Sequence, residues 1–332
     1  IYTLSLHDAL PISLGKAEER KSCWNCESQQ DKKDSTRMAE TLSITIAVIL
    51  RIFSNPLANV YQKQLTSKGS HPLVVNFLTY FLLSVVCGIS LFFLRISHLN
   101  HDFWIYSILG GIAGALGNGF LVKALHLGDL SVLGPINSYK SIVGIIAGIF
   151  LLSEIPNIWG ILGIALIIYG SYFVLDTTDE KFSWRLLKRP EIQFRIWAMI
   201  LTAIEAVFIK KVILASSTTV AFMSWCLFGA LFSFIVLFFC KLNLKAELSK
   251  TMKFNYASKF LLLAGCVGTM QLTTNYTFDH MPVGYALSLF QLSVIISILF
   301  GYKFFREKEI GKKIAGSIIM IMGSTLIILL KN

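Results

Sequence analysis

Charged side chains are scarce in this chain: Asp, Glu, Lys and Arg together make up 15% of its 332 residues, against 55% hydrophobic. An ordinary soluble domain carries about a quarter charged residues, so this balance excludes one. Cysteine spacing of the kind that holds a metal is also missing. Cys87, Cys226, Cys240 and Cys266 stand singly in or at the ends of separate apolar runs and read as small core residues. Cys23 and Cys26 do form a Cys-x-x-Cys, but a lone pair beside Trp24 in a polar stretch is a weak metal or redox signal, and no cofactor is expected. There is no P-loop to support ATP-driven work. Intramembrane proteolysis needs paired aspartates, or a serine with a histidine, inside apolar runs. Here Asp279 and His126 each stand alone at the end of one, so an enzyme is not expected.

What the chain does have is hydrophobic length. Runs of about 20 apolar residues, enough to cross a bilayer as a helix, occur ten times. They lie at roughly 43–64, 73–94, 103–126, 130–152, 157–175, 194–214, 218–240, 258–278, 283–305 and 311–330. The net charge of +11 does not point to nucleic acid, because nearly all the basic residues fall in short loops between runs, where they act as topology signals. Residues 1–37 differ from the rest. They are polar, hold six basic and six acidic residues, and have neither the cationic start nor the apolar stretch of a signal peptide. The opening IYTLSLHDALPIS looks like translated sequencing-adapter read-through, which would make Met38 the start; the alternative is a disordered cytosolic tail. On either reading no folded structure and no function are expected there.

The remaining chain is duplicated. Shifted by 153 residues against itself without a gap, Gly148 falls on Gly301, Glu154 on Glu307, Gly163 on Gly316, Gly170 on Gly323 and Ser171 on Ser324. Asn118 meets Gln271, and Ile142 and Ile145 meet Ile295 and Ile298. The fold class expected is therefore all-α: a polytopic membrane protein of ten transmembrane helices, built as two five-helix repeats. Five is odd, so the second copy enters the membrane in the opposite sense and the repeats are inverted. The boundaries read as a leader at 1–37, a first repeat at 38–175, a charged linker at 176–191 and a second repeat at 192–332. Loops after runs one, five, seven and nine hold 17 Lys and Arg, against four on the other side (Arg95, Lys210, Lys211 and Lys331). The positive-inside rule then puts both termini outside the cell.

With the loop cations near the run ends set aside, few charges remain within the runs: Arg51, Lys123, Lys140 and Glu205. A charge at mid-membrane costs roughly 2.5–3.5 kcal/mol on insertion scales, so these four are expected to face partners or water in the interior. Polar stripes at helical spacing support this. They comprise Arg51, Asn55, Asn59 and Gln62; Gly111, Gly114 and Asn118; Asn137, Lys140, Ser141, Gly144 and Gly148; and Gly268, Gln271, Asn275 and Asp279. Two readings stay open: close helix packing through glycines and amides, or hydrogen bonding to a ligand. Similarly, Glu205 either binds a ligand or pairs with Lys140 or Arg51 to fix helix packing. Glu154 and Glu307, closing runs four and nine, are expected to act in interfacial turns.

The segments VKALHLGDLSVLGPINSYKSIVGIIAGIFLLSE and MPVGYALSLFQLSVIISILFGYKFFREKE each run through a helix to a terminal glutamate and then into a glycine-bearing last helix. Together with the duplicated five-helix unit, they resemble the drug/metabolite transporter superfamily in its EamA-type ten-helix branch, over about residues 40–330. The resemblance implies a central cavity lined by the first, third, fourth, sixth, eighth and ninth helices, here by Asn118, Asn137, Lys140, Gln271, Asn275 and Gln291. It also implies cytosolic termini, opposite to the charge count. Small multidrug-resistance relatives keep a glutamate in the first helix of the unit, where this chain has Arg51. The function expected is a secondary transporter in the plasma (inner) membrane, exporting a small polar or amphipathic, amino-acid-like metabolite by alternating access. Arg51 and Lys140 would attract its carboxylate, and Glu205 would take a proton or its amine. A proton or the substrate gradient drives the cycle on this reading. A flippase for a lipid-linked precursor and a non-transporting scaffold are the alternatives, and a homodimer is left open.

Overall fold

The structure, a computed structural model, describes residues 12–91, 99–140, 142–143, 157–177, 188–242, 247 and 254–329. Two compact units divide the chain, Ile1–Ile46 and Ala47–Asn332, and all that follows on packing concerns the second. Among the described residues every regular element is helical. In chain order they are α1 (Ile12–Ser67), α2 (Pro72–Leu91), α3 (His101–Leu127), α4 (Leu130–Leu133) with a 3-10 turn at Pro135–Tyr139, and α5 (Ile158–Leu175). The second half continues with α6 (Pro190–Ala215), α7 (Thr218–Phe239), α8 (Phe254–His280), α9 (Val283–Phe290), α10 (Ser293–Phe305) and α11 (Ile310–Leu329). Helical backbone from Ile12 departs from the expectation of no folded structure before Met38. The sequence there has no proline after Pro11 and is rich in Glu, Lys, Arg and Gln, all good helix formers.

Among the described residues, seven stretches are long and apolar enough to cross a bilayer: α1 from Thr36, α2, α3, α5, α7, the α9–α10 pair and α11. Helices α6 and α8 have the length, at 26 and 27 residues. Their polar content sets them apart, since α6 holds Arg195, Glu205, Lys210 and Lys211, and α8 holds Gln271 and Asn275. The fourth run lies largely outside the described residues, as do Glu154, Ser141, Gly144, Gly148 and most of the 176–191 linker.

Local chemistry sets the helix ends. Asn100, Asn157 and Ser217 each accept a hydrogen bond from the backbone N–H three residues on, satisfying donors that a helix start leaves free. Pro190 opens α6, where its missing N–H costs nothing. Runs four and nine are both interrupted. Pro135 cannot donate to the preceding turn, and the chain tightens into the 3-10 turn. Run nine breaks between Phe290 and Ser293, at Gln291 and Leu292. Ser138 and Gln291, one repeat apart, thus both sit at an interruption.

Polarity is reversed relative to a water-soluble protein. Phe238, Phe239, Leu261 and Val86 are among many exposed apolar side chains, while Glu205, Gln271, Asn275 and Gln291 are buried. Glycines let the helices close on one another. A methyl group on Gly163 would strike the Gly323 carbonyl, and one on Gly170 the Gly316 carbonyl, so α5 and α11 cross antiparallel at backbone contact. Helices α2 and α7 pair likewise: Asn76 Nδ2 donates to Ser233 Oγ at 3.0 Å, and the Tyr80 ring lies on Gly229. Along α3, Gly117 meets Thr202, Gly114 meets Glu205 and Gly110 meets Phe208, an antiparallel track on α6.

Lys123 corrects the sequence reading. It is exposed near the end of α3, with its ammonium 4.3 Å from the centre of the Phe194 ring. Four residues from the helix end, a long side chain reaches the boundary and need not face the interior. The reverse holds for Arg195 and Lys313, which count as loop cations by sequence and are both buried.

Candidate functional site

A cavity of about 110 Å³ lies within the second unit, among α1, α3, the 3-10 turn, α6, α8, α9 and α10. Six of the eight residues picked from sequence line it: Arg51, Asn118, Asn137, Lys140, Glu205 and Gln271. Asn275 and Gln291 do not. Asn275 is fully buried with its amide 2.9 Å from that of Gln271 on the same face of α8. Gln291 is buried at the break in run nine, where its Oε1 accepts from Ser138 Oγ at 3.4 Å. Both side chains are buried in packing between helices.

The lining straddles the repeat. Five pairs of residues separated by 153 face it together: Asn118 with Gln271, Leu121 with Thr274, Gly134 with Leu287, Asn137 with Phe290, and Lys140 with Ser293. Four of the five differ in chemical type.

Glu205 has a tightly built environment. Its Oε1 accepts a hydrogen bond from Trp225 Nε1 at 2.6 Å, and the carboxylate rests on α3 where Gly114 has no side chain. The Tyr80 hydroxyl lies beside the same glycine and accepts from Asn118 Nδ2 at 2.7 Å. Neither Arg51 nor Lys140 comes within 4.0 Å ion-pair reach of Glu205 among the described residues. The packing ion pair considered from sequence is therefore not formed, and an indole donor takes its place.

Arg51 donates from Nε to Thr274 Oγ1 at 2.8 Å, and its guanidinium carbon lies 4.8 Å from the centre of the Phe290 ring. Its Nη1 is buried with no hydrogen-bond partner. Arg195 donates from Nε to the Leu133 carbonyl at 2.8 Å, just before the 3-10 turn. Glu191, one turn earlier on α6, is held by Arg189 at 2.5 Å. Asn55 and Asn59 complete the polar stripe of α1 along the cavity wall.

A second polar cluster lies beyond the end of α10. Arg306 adopts a left-handed conformation, φ 55°, which ends the helix and lets Glu307 N–H bond back to the Gly301 carbonyl at 3.3 Å. The Glu307 carboxylate folds over Gly301 and accepts from the backbone N–H groups of Leu130 (2.9 Å) and Ser131 (2.8 Å), the free donors at the start of α4. Lys63 of α1 adds a bond at 3.0 Å, and Lys313 of α11 donates to Ser131 Oγ at 2.8 Å. Burial alone would raise the Glu307 carboxyl, but Lys63 and the Ser131 donors outweigh it and hold the group below its ordinary 4.5. This glutamate sits in the turn after α10, and the cluster around it joins α1, α4, α10 and α11.

Sequence reading missed Arg195, Thr274, Trp225 and Tyr80. Arg195 stands at the start of an apolar run and counts equally well as a loop charge. The two aromatics look like any others in apolar helices, and only the position of Glu205 gives them a role.

Comparison with known proteins follows the same lines. No curated protein matches the chain. Twenty-eight solved chains match. One of them, described only as a crystal structure of a protein, superposes with a TM-score of 0.59 at 16% identity, covering 89% of this chain and 98% of its own, which shows a shared fold. The model of the EamA-like transporter family matches residues 42–176 and again 190–329, one match for each copy of the repeat. With its helices long and apolar enough to cross a bilayer, its duplicated architecture and both copies matched, the chain belongs to the EamA-like transporter family, within the drug/metabolite transporter superfamily, and is a multi-pass membrane protein.

Proposed function

We propose that this protein is a secondary active transporter that moves a small polar, carboxylate-bearing metabolite, amino-acid-like in size, out of the cell by alternating access in the plasma membrane. The observation that carries the reading is the cavity: charges of both signs line it at the level where the two copies meet. A packing core has no use for them, because buried charges without close partners are costly.

Inverted repeats of five spans are part of the proposal, and mirrored contacts support them. Gly163 meets Gly323 while Gly170 meets Gly316; Asn76 meets Ser233 while Tyr80 meets Gly229. In each set, exchanging the two copies maps one contact onto the other, as in an isologous interface. The paired helices run antiparallel, so the exchange also reverses membrane direction. Such symmetry supplies two equivalent conformations, one open to each side.

In the cycle Arg51 and Lys140 hold the solute's carboxylate, while Glu205 takes a proton or an amine and so couples solute to proton movement. Trp225 and Tyr80 keep the Glu205 side chain in one place between these states. A cavity of about 110 Å³ suits a solute of a few heavy atoms and gives no room to a lipid-linked precursor. The test is a thermal-shift screen of the purified protein against metabolites, repeated with Lys140→Ala, followed by flux in proteoliposomes of known orientation. A solute that stabilises only the unmutated protein and moves outward supports the reading. Absence of saturable flux for every solute would leave the scaffold reading in its place.

A further inference from the structure

The charges around the cavity do not cancel. Arg51, Lys140 and Arg195 line it with Glu205 as the only carboxylate among the lining residues. Lys140 and Glu205 both line it and carry opposite ionisable groups. As ammonium with carboxylate, or as amine with carboxylic acid, Lys140 and Glu205 together sum to zero. The two guanidinium groups remain, and arginine does not give up its proton in proteins. The site therefore keeps an excess of two positive charges that no described side chain offsets, since Glu191 is already held by Arg189.

Both guanidinium groups are built to receive something. Each is tied down through Nε, Arg51 by Thr274 Oγ1 and Arg195 by the Leu133 carbonyl, which leaves the terminal nitrogens as the free edge of the fork. That edge matches the two oxygens of a carboxylate or a phosphate. Arg51 is further fixed by the face of Phe290, and its Nη1 is a buried donor lacking an acceptor. The two arginines come from α1 and α6, corresponding helices of the two repeats, so the solute would bridge the copies.

We infer that the solute is a small organic dianion, carrying two carboxylates or a phosphate monoester, held between the guanidinium groups of Arg51 and Arg195 with Lys140 beside them. This rests on the transporter reading and narrows it from a carboxylate-bearing metabolite to one with two negative charges. A zwitterion such as alanine would leave one guanidinium without an acceptor. A cation would meet repulsion from both.

The experiment uses the full chain purified in detergent and measures half-stabilising concentrations in thermal shift for succinate, glycerol 3-phosphate, glutamate, alanine and choline, then counterflow of the same solutes in proteoliposomes. Succinate or glycerol 3-phosphate is expected to act at concentrations at least tenfold lower than alanine, with choline inactive; which of the two is better distinguishes a dicarboxylate from a phosphate site. Arg51→Gln and Arg195→Gln should each weaken the dianion at least tenfold while the ligand-free unfolding temperature holds or rises, because a buried charge is removed. If either variant fails to fold, Arg51→Lys and Arg195→Lys keep the charge without the fork and should still weaken binding several-fold. Tighter binding of alanine or choline than of both dianions, or dianion binding untouched by all four variants, overturns the inference and leaves the transporter reading standing. No binding and no counterflow for any solute overturns both.

Discussion

Two regions of the bundle, both made where the copies of the repeat meet, follow opposite rules. At the crossing of α5 and α11 the copies are identical: Gly163 and Gly170 answer Gly316 and Gly323, and each presses on backbone of the other copy. At the cavity the copies diverge, with Lys140 answered by Ser293, Asn137 by Phe290 and Leu121 by Thr274 in its lining. The contrast separates two demands. Close approach of two backbones tolerates one residue type on both sides. A binding site for a solute without two-fold symmetry needs different chemistry on each.

The sharpest way to break this comparison is at the crossing. Gly170→Leu places a side chain against the Gly316 carbonyl, where backbone cannot give way, and is expected to abolish the monodisperse folded protein in fluorescence-detected size exclusion. Gly265, with open space beside it, is the control, and Gly265→Ala should shift stability by less than about 0.5 kcal/mol. If Gly170→Leu folds normally, the crossing is not a backbone contact.

Next in size is a change at the cavity that spares the fold. Glu205→Gln keeps an acceptor for Trp225 and removes the charge, so unfolding temperature should be nearly unchanged while proton-driven flux falls by at least about tenfold, the scale of a lost charged interaction. Flux that stays proton-driven in this variant removes Glu205 from the coupling step. A smaller effect is expected at the cluster around Glu307. Glu307→Gln weakens the bonds to Lys63 and to the start of α4, and should cost about 1–3 kcal/mol in unfolding. The sign of its pH dependence follows from a folded-state carboxyl held below 4.5: the stabilisation is full above that value and is lost as pH falls through the lowered one. Unfolding temperature should therefore drop on acidification below 4.5, and less steeply in Glu307→Gln.

Sequence made the outer frame legible, because bilayer crossing imposes length and apolarity that any run of residues displays. The glycine matches across 153 residues were equally plain, since contact with backbone admits no side chain. What was hidden depends on depth along a helix. Lys123 and Arg195 each lie near a run's edge, yet one is exposed over Phe194 and the other buried beside the 3-10 turn. Hydropathy assigns them oppositely because it sees neighbours in sequence and not which helix lies across. Asn275 and Gln291 show the same limit, for an amide satisfied in packing and one facing a cavity have the same spacing.

The weak bond between Ser138 and Gln291 has a further meaning. It joins a residue to its own counterpart, so trading the shapes of the two halves turns the bond into itself. Mirrored pairs such as Gly163 with Gly323 and Gly170 with Gly316 map onto each other in such a trade. A self-paired bond has no twin and nothing to exchange. On the alternating-access proposal, it is a contact that both shapes of the protein would share.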